Sequence, residues 1–141
     1  MFFATSDFLN AYNDLLGCKK CYASIGTDIY NLFCDKKIDD IFEFQQFIDN
    51  KPPNYRVIKC RIANTTMKEA ENSGFRLYYN VLKNKNIVCL LYIYPKTGKR
   101  QTNAIKDTFA KQLTKTFASE YQENKLKSIS LDITNKCLVF P

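Results

Sequence analysis

Phe75-Arg-Leu-Tyr-Tyr-Asn-Val-Leu82, then Lys-Asn-Lys-Asn at 83–86, then Ile87-Val-Cys-Leu-Leu-Tyr-Ile-Tyr94: this stretch decides the fold. The first segment is rich in aromatic and branched residues and has the length of a strand. The four polar residues after it read as a tight turn, in which an asparagine tolerates positive φ. The third segment is apolar without a break until Pro95, which predicts a central strand covered on both faces. Upstream, Tyr-Arg-Val-Ile-Lys-Cys-Arg-Ile-Ala at 55–63 predicts another strand, this one carrying three cations. Its Lys59 and Arg61 stand two residues apart and so share a face. The polar loop 64–74 ends in Ser-Gly. The expectation is a three- or four-stranded antiparallel sheet built on 55–63, 75–82 and 87–94.

Outward from this sheet the pattern turns helical. Residues 2–5 are short and apolar and read as an edge strand. Ser6 or Asp7 can cap a helix carrying Phe8, Leu9, Tyr12, Leu15 and Leu16, which Gly17 stops. A second helix is expected over about 22–35, with Ile25, Ile29, Leu32 and Phe33 as its stripe. A third starts at Asp39 or Asp40, places Ile41, Phe42, Gln45 and Ile48 on one side, and ends at Pro52-Pro53. Beyond the sheet, a basic loop at 96–101 leads to a long helix, about 102–122. There Ile105, Phe109, Leu113, Phe117 and Tyr121 recur every four residues. The tail alternates Ile129, Leu131 and Ile133, then reads Cys-Leu-Val-Phe to residue 140, as a last hairpin would. The fold class is therefore α+β: N-terminal helices on a small antiparallel sheet, followed by a long helix and a C-terminal hairpin. With no repeat and no linker, 1–141 reads as one domain.

Charge is unevenly placed. Residues 1–50 carry four lysines and eight acids, residues 51–111 thirteen cations and three acids, and residues 112–141 four lysines and three acids; the net charges of −4, +10 and +1 add to +7. A local +10 points to a polyanion or an acidic protein as partner. No apolar run is long enough for a membrane span, and the N-terminus lacks the pattern of a signal peptide, so a cytoplasmic location is expected and no membrane partner. The six cysteines then read as reduced thiols, several of them inside apolar runs. Cys18-Lys-Lys-Cys21 has the spacing of zinc or redox motifs, but a structural zinc needs four ligands and the chain has no histidine and no second such pair. No metal and no cofactor are expected.

Four stretches resemble the RelE/ParE superfamily of toxins from type II toxin–antitoxin systems, RelE/HigB-like members among them. Lys-Lys-Cys-Tyr-Ala-Ser-Ile-Gly-Thr-Asp-Ile at 19–29 is similar to the family's helix–helix junction. The segment at 55–63 looks like its second strand with a Lys or Arg pair. Ser-Gly-Phe-Arg-Leu-Tyr-Tyr at 73–79 resembles its Gly-x-Arg-hydrophobic-Tyr strand. Leu-Leu-Tyr-Ile-Tyr-Pro-Lys at 90–96 is similar to the end of its last core strand. The four occur in the family's order over about residues 1–117, with 118–141 outside. The resemblance implies a cognate acidic antitoxin. It also implies either a ribosome-dependent mRNA endonuclease, whose basic sheet face uses Lys, Arg and Tyr, or a gyrase inhibitor.

The chemistry fits this composition. Cleavage of RNA by its own 2′-oxygen needs a base, an acid and cations around the phosphorane. Without histidine, Lys, Arg and Tyr must supply them. Arg61, Arg76, Lys68 and Tyr94 are the candidate catalytic residues, and Lys59, Lys96, Lys99 and Arg100 the candidate RNA-binding residues. Glu69 and Glu71 depart from the family's Gly-Lys-Ser-Gly-Gly and set two acids where RNA would come. A non-enzymatic member, which inhibits gyrase or only pairs with its antitoxin, is the alternative. A third reading is a plain RNA-binding module with Tyr78, Tyr79, Tyr92 and Tyr94 as stacking platform.

Overall fold

The computed structural model describes residues 1–43, 47–51 and 53–140. The chain runs β1 (Phe2–Ala4), α1 (Ser6–Leu16), α2 (Lys19–Tyr22), α3 (Ile25–Phe33), α4 (Ile38–Phe42), β2 (Phe47–Lys51), β3 (Tyr55–Ile62), β4 (Phe75–Leu82), β5 (Ile87–Pro95), α5 (Asp107–Gln122), β6 (Lys127–Asp132) and β7 (Cys137–Val139). The fold is α+β, with one sheet in the order β2-β3-β4-β5-β1-β6-β7. β3, β4 and β5 form the expected antiparallel meander, Tyr55 opposite Leu82 and Phe75 opposite Pro95. The β4–β5 connection is a 3-10 turn over Lys83–Lys85, closed by Asn86 at φ 54°.

The sheet is larger than expected and mixed rather than antiparallel. β1 lies inside it, not at an edge: it runs parallel to β5, with Phe3 opposite Cys89, and antiparallel to β6, with Phe3 opposite Ser128. β6 in turn pairs antiparallel with β7, Leu131 opposite Leu138. The tail thus supplies the partner that a three-residue strand needs on its second side. Ile48 belongs to β2, which pairs with β3, and not to a helix; Gln45 and Pro52 lie outside the described residues. The expected second helix is two, α2 and α3, parted at Ala23-Ser24. α5 begins at Asp107, so Ile105 precedes it. The cap of α1 is Thr5, whose hydroxyl accepts from the Phe8 N–H at 3.3 Å.

Helices cover both sheet faces. On one, Phe8, Ile25, Ile29 and Phe33 pack on Ile58, Leu77, Tyr79, Leu90 and Ile93. On the other, Leu113 and Phe117 of α5 pack on Val57, Tyr78, Cys89, Leu91 and Tyr94. Burying each of these two α5 side chains stabilises the fold by about 1.5–3 kcal/mol. Alternation along β4 sends Leu77 and Tyr79 to the first face and Arg76 and Tyr78 to the second. A bulge re-aims β5: Tyr78 faces Tyr92 and Tyr79 faces Leu90, leaving Leu91 extra. Leu91 and Tyr92 therefore both look toward α5.

The β3–β4 loop is tied to α3. The Asp28 carboxylate accepts from the Thr65 N–H at 3.1 Å and from the Ser24 hydroxyl at 2.7 Å. The loop returns through Gly74, where a Cβ would stand 2.1 Å from the Ile62 carbonyl oxygen, so no side chain fits there.

Candidate functional site

Two rows cross the sheet on the α5 face. Lys59 is opposite Tyr78, and Tyr78 opposite Tyr92; Arg61 is opposite Arg76, and Arg76 opposite Tyr94. Directly opposed side chains have Cβ atoms about 4.5–5.5 Å apart, so these six form a patch two residues deep. Lys59 Nζ sits 5.8 Å over the Tyr78 ring. The Tyr94 ring lies 6.4 Å from Tyr78 and 6.3 Å from Tyr92, centroid to centroid.

The patch concentrates positive charge that no ion pair among the described residues neutralises. Ion pairs among the described residues join Arg56 to Glu43, Lys83 to Asp39, Arg100 to Asp14 and Lys125 to Glu123. None reaches Lys59, Arg61, Arg76 or Lys96. Placing Arg61 across from Arg76 costs stability, since like charges directly opposed repel. Burial lowers the Lys59 pKa below that of an ordinary lysine, and the charges of Arg76, Lys96 and Arg61 lower it further. Burial also lowers that of Arg76, as does the charge of Arg61. Burial raises both Tyr78 and Tyr94, while Arg76 and the Ile105 N–H pull Tyr94 partly back. A lysine that holds its proton less tightly than usual thus stands beside two phenols that hold theirs more tightly.

Arg76 is only 8% exposed. Its guanidinium donates to three carbonyls of the preceding segment: Asn72 at 2.8 Å, Glu71 at 3.1 Å and Phe75 at 3.3 Å. It therefore fastens the loop end as well as charging the patch. Asn80 is fully buried on the same face; its Nδ2 reaches Tyr55 Oη at 3.4 Å and its Oδ1 has no partner.

The remaining candidates separate. Lys96 joins the patch: its N–H donates to Gly74 O at 2.8 Å and its charge acts on Lys59. Lys99 and Arg100 turn the other way, toward α1 and α2. Arg100 Nε meets Asp14 Oδ2 at 3.1 Å, and its backbone N–H donates to Tyr22 Oη at 2.8 Å. Lys68 sits on the 64–69 turn at φ 56°, on the helix side, where Asn64 Nδ2 donates to Cys21 O and Thr65 to Asp28; no hydrogen bond or ion pair among the described residues joins it to Lys59, Arg61 or Arg76. Tyr79 is a core residue, 1% exposed, its hydroxyl donating to Ile41 O at 3.2 Å, so it belongs to no platform. Glu71 borders a cavity of about 250 Å³ beside Asp28, Asn31, Leu32 and Lys36 of the helical layer, with Arg61 at its rim. Glu69 is paired through its backbone to Asn64.

Sequence reasoning placed Lys59 among the RNA-binding residues and missed its altered basicity. The signal was present in the alternation that puts it beside Arg61 and, across one strand, Arg76. Among the described residues no three His, Cys, Asp or Glu side chains gather as metal ligands, and no helix is long and apolar enough to cross a membrane. No family model matches the chain, and no curated protein matches its sequence.

Proposed function

We propose that this chain is a toxin of the RelE/ParE type, the toxin half of a type II toxin–antitoxin pair, which cleaves mRNA on the ribosome with the patch around Lys59. The observation that carries the reading is the unneutralised row Lys59, Arg61, Arg76 and Lys96, with a depressed lysine at its centre. Lys59 takes the proton of the ribose 2′-hydroxyl. Arg61 grips the phosphate, with Arg76 behind it adding positive field to the developing phosphorane. Tyr94, backed by Tyr78, supplies the proton to the leaving 5′-oxygen. Lys96 holds the neighbouring phosphate. No metal or cofactor enters this chemistry. The order strand, helices, meander, helix agrees with the resemblance at 19–29, 55–63, 73–79 and 90–96. Free, the patch would draw an acidic antitoxin segment by the same field.

The test is cleavage of a defined mRNA by the full chain, with and without ribosomes, with the product ends mapped. The mechanism expects 2′,3′-cyclic phosphate and 5′-hydroxyl ends, and loss of cutting in Lys59→Met and Arg61→Ala. RNA affinity should fall with salt at a log–log slope of about −1.4, since each phosphate contact on a single strand contributes about −0.7 and two cations, Arg61 and Lys96, make them. Absence of cutting in both conditions refutes the nuclease.

A second reading, a binding protein that pairs with its antitoxin or blocks gyrase without chemistry, has one observation in its favour. Arg76 is already bound to three carbonyls and Tyr94 is 2% exposed under the α5 side, so both are poorly placed to meet a substrate directly. Salt-steep binding without cutting would select it.

A further inference from the structure

The Cys18–Cys21 pair lies outside the patch. Its geometry is that of a closable dithiol. The Cys21 N–H donates to the Cys18 carbonyl at 3.1 Å, as does the Tyr22 N–H at 3.1 Å, so residues 18–21 form one tight turn. Such a turn keeps the Cα atoms of its first and fourth residues within about 7 Å, and disulfides span about 4.4–6.8 Å. Both cysteines are partly exposed, whereas Cys60 and Cys89 are buried. The loop after β5 brings cations to this turn and is fixed there. Tyr22 Oη donates to Thr97 O at 2.9 Å and accepts from the Arg100 N–H at 2.8 Å. Arg100 Nη2 lies 3.7 Å from where a Cβ on Gly17 would stand, one residue before Cys18. Lys19 and Lys20 add charge from within the pair. Cations beside a cysteine stabilise its thiolate.

We propose that Cys18 and Cys21 are a dithiol–disulfide pair that exchanges with small-molecule disulfides of the glutathione type, Cys21 being the attacking thiol. The Cys21 thiolate attacks one sulfur of the disulfide, forming a mixed disulfide and releasing one glutathione thiolate. Cys18 then gives up its proton to solvent and attacks the Cys21 sulfur, forming Cys18–Cys21 and releasing the second. The chain loses two electrons and two protons, and one glutathione disulfide becomes two thiols. The order of attack follows from the loop that crosses Cys21: the Lys99 backbone, the Cys18 thiol and the charges of Lys99 and Arg100 lower the Cys21 pKa, with burial opposing them in part. The proposal is independent of the nuclease reading, because none of these groups belongs to the Lys59 patch.

The experiment treats the full chain with glutathione disulfide, quenches with acid, alkylates free thiols and reads peptides by mass. The expected result is joint protection of Cys18 and Cys21, with the two halves of the Lys19-Lys20 tryptic cut still joined until a reductant is added. Cys34, exposed at the end of α3 and without a second cysteine in its turn, should remain alkylatable or carry glutathione alone. Cys18→Ser should trap glutathione on Cys21, and Cys21→Ser should react several-fold more slowly than wild type at Cys18. The rate of Cys21 alkylation should rise with pH through a midpoint below that of free cysteine, about 8.5. Cys18 and Cys21 that stay separately alkylatable, or that react no faster than Cys34, would overturn the proposal.

Discussion

Arg76→Ala should destabilise the fold by about 2 kcal/mol, and that loss follows from where the guanidinium points. It donates to Asn72, Glu71 and Phe75 carbonyls at 2.8, 3.1 and 3.3 Å. Hydrogen bonds from a charged group contribute about 1.5–3 kcal/mol when well formed; only the Asn72 bond is short, so the three together come to about 3–4. Removing the side chain also relieves its repulsion with Arg61 and restores rotamer freedom to the chain, together about 1–2 kcal/mol. The net is about 2 kcal/mol. With a urea slope of about 2 kcal/mol/M, the midpoint should drop by about 1 M. Arg76→Lys, which keeps the charge but not the fork, should fall between the two. Arg61→Ala should leave the midpoint unchanged or raise it slightly, because that side chain is exposed, makes no ion pair among the described residues and repels Arg76. Urea melts of the four proteins decide. Coincident midpoints for wild type and Arg76→Ala would refute the fastening role and return Arg76 to the status of a free phosphate ligand. Any loss of RNA binding in Arg76→Ala has to be read against this melt, whereas loss in Arg61→Ala does not.

Lys59→Met should stabilise the protein at neutral pH. Because the folded-state pKa is depressed, the unfolded chain binds the proton more tightly; the penalty is full below the folded pKa and disappears as pH rises to the ordinary lysine value near 10.4. The stability gap between variant and wild type, measured by urea melts at a series of pH values, should therefore shrink as pH rises, and a constant gap would contradict the shift. Gly98→Ala should weaken the loop over the CxxC turn: Gly98 has φ 90°, and a Cβ would lie 2.7 Å from Tyr22 Oη and 2.9 Å from Met67 Sδ. A cost of about 1–3 kcal/mol is expected, with faster amide exchange at Arg100, whose N–H bonds to Tyr22. Phe117→Ala should cost about 3–5 kcal/mol because the ring is 5% exposed in the α5 core, visible as a lowered thermal midpoint; a change under 1 kcal/mol would mean that α5 is not held on the sheet.

The meander was legible because its signals are local. Continuous apolar runs, a four-residue polar turn and Pro95 mark β4 and β5 without any knowledge of distant partners. β1 was misplaced at an edge for the opposite reason. Phe2–Ala4 is paired by β5 on one side and by β6, more than a hundred residues later, on the other. Nothing in the first five residues encodes the second partner. The helix expected over 22–35 broke because apolar spacing alone does not report the Ser24 side chain, which bonds to Asp28 and Thr66 across to the β3–β4 loop. The long helix started late for a related reason. Ile105 serves the same apolar cluster as Leu113 and Phe117, so it keeps the periodicity of the stripe while standing outside the helix.

The site was legible to the extent that strand alternation decides neighbours. Lys59 and Arg61 at i, i+2 had to share a face, and register then set Arg76 beside Arg61. The loop cations were not decided in this way. Lys96, Lys99 and Arg100 are close in sequence, but the chain passes around Gly98 between the first and the others. Lys96 is anchored to Gly74 and points its charge at Lys59, whereas Arg100 is anchored to Tyr22 and Asp14. One basic stretch therefore divides into two electrostatic neighbourhoods: a cationic surface on the sheet, and a sulfur-bearing turn beside α1. The division has a thermodynamic consequence. A polyanion that binds the first neighbourhood gains nothing from Arg100, whose charge is already offset by Asp14. The salt dependence of RNA binding should therefore be lowered by Arg61→Ala and Lys96→Ala and left unchanged by Arg100→Gln. A fall in slope for Arg100→Gln equal to that for Lys96→Ala would show that both ends of the loop face the same ligand, and the separation drawn from Gly98 would fail.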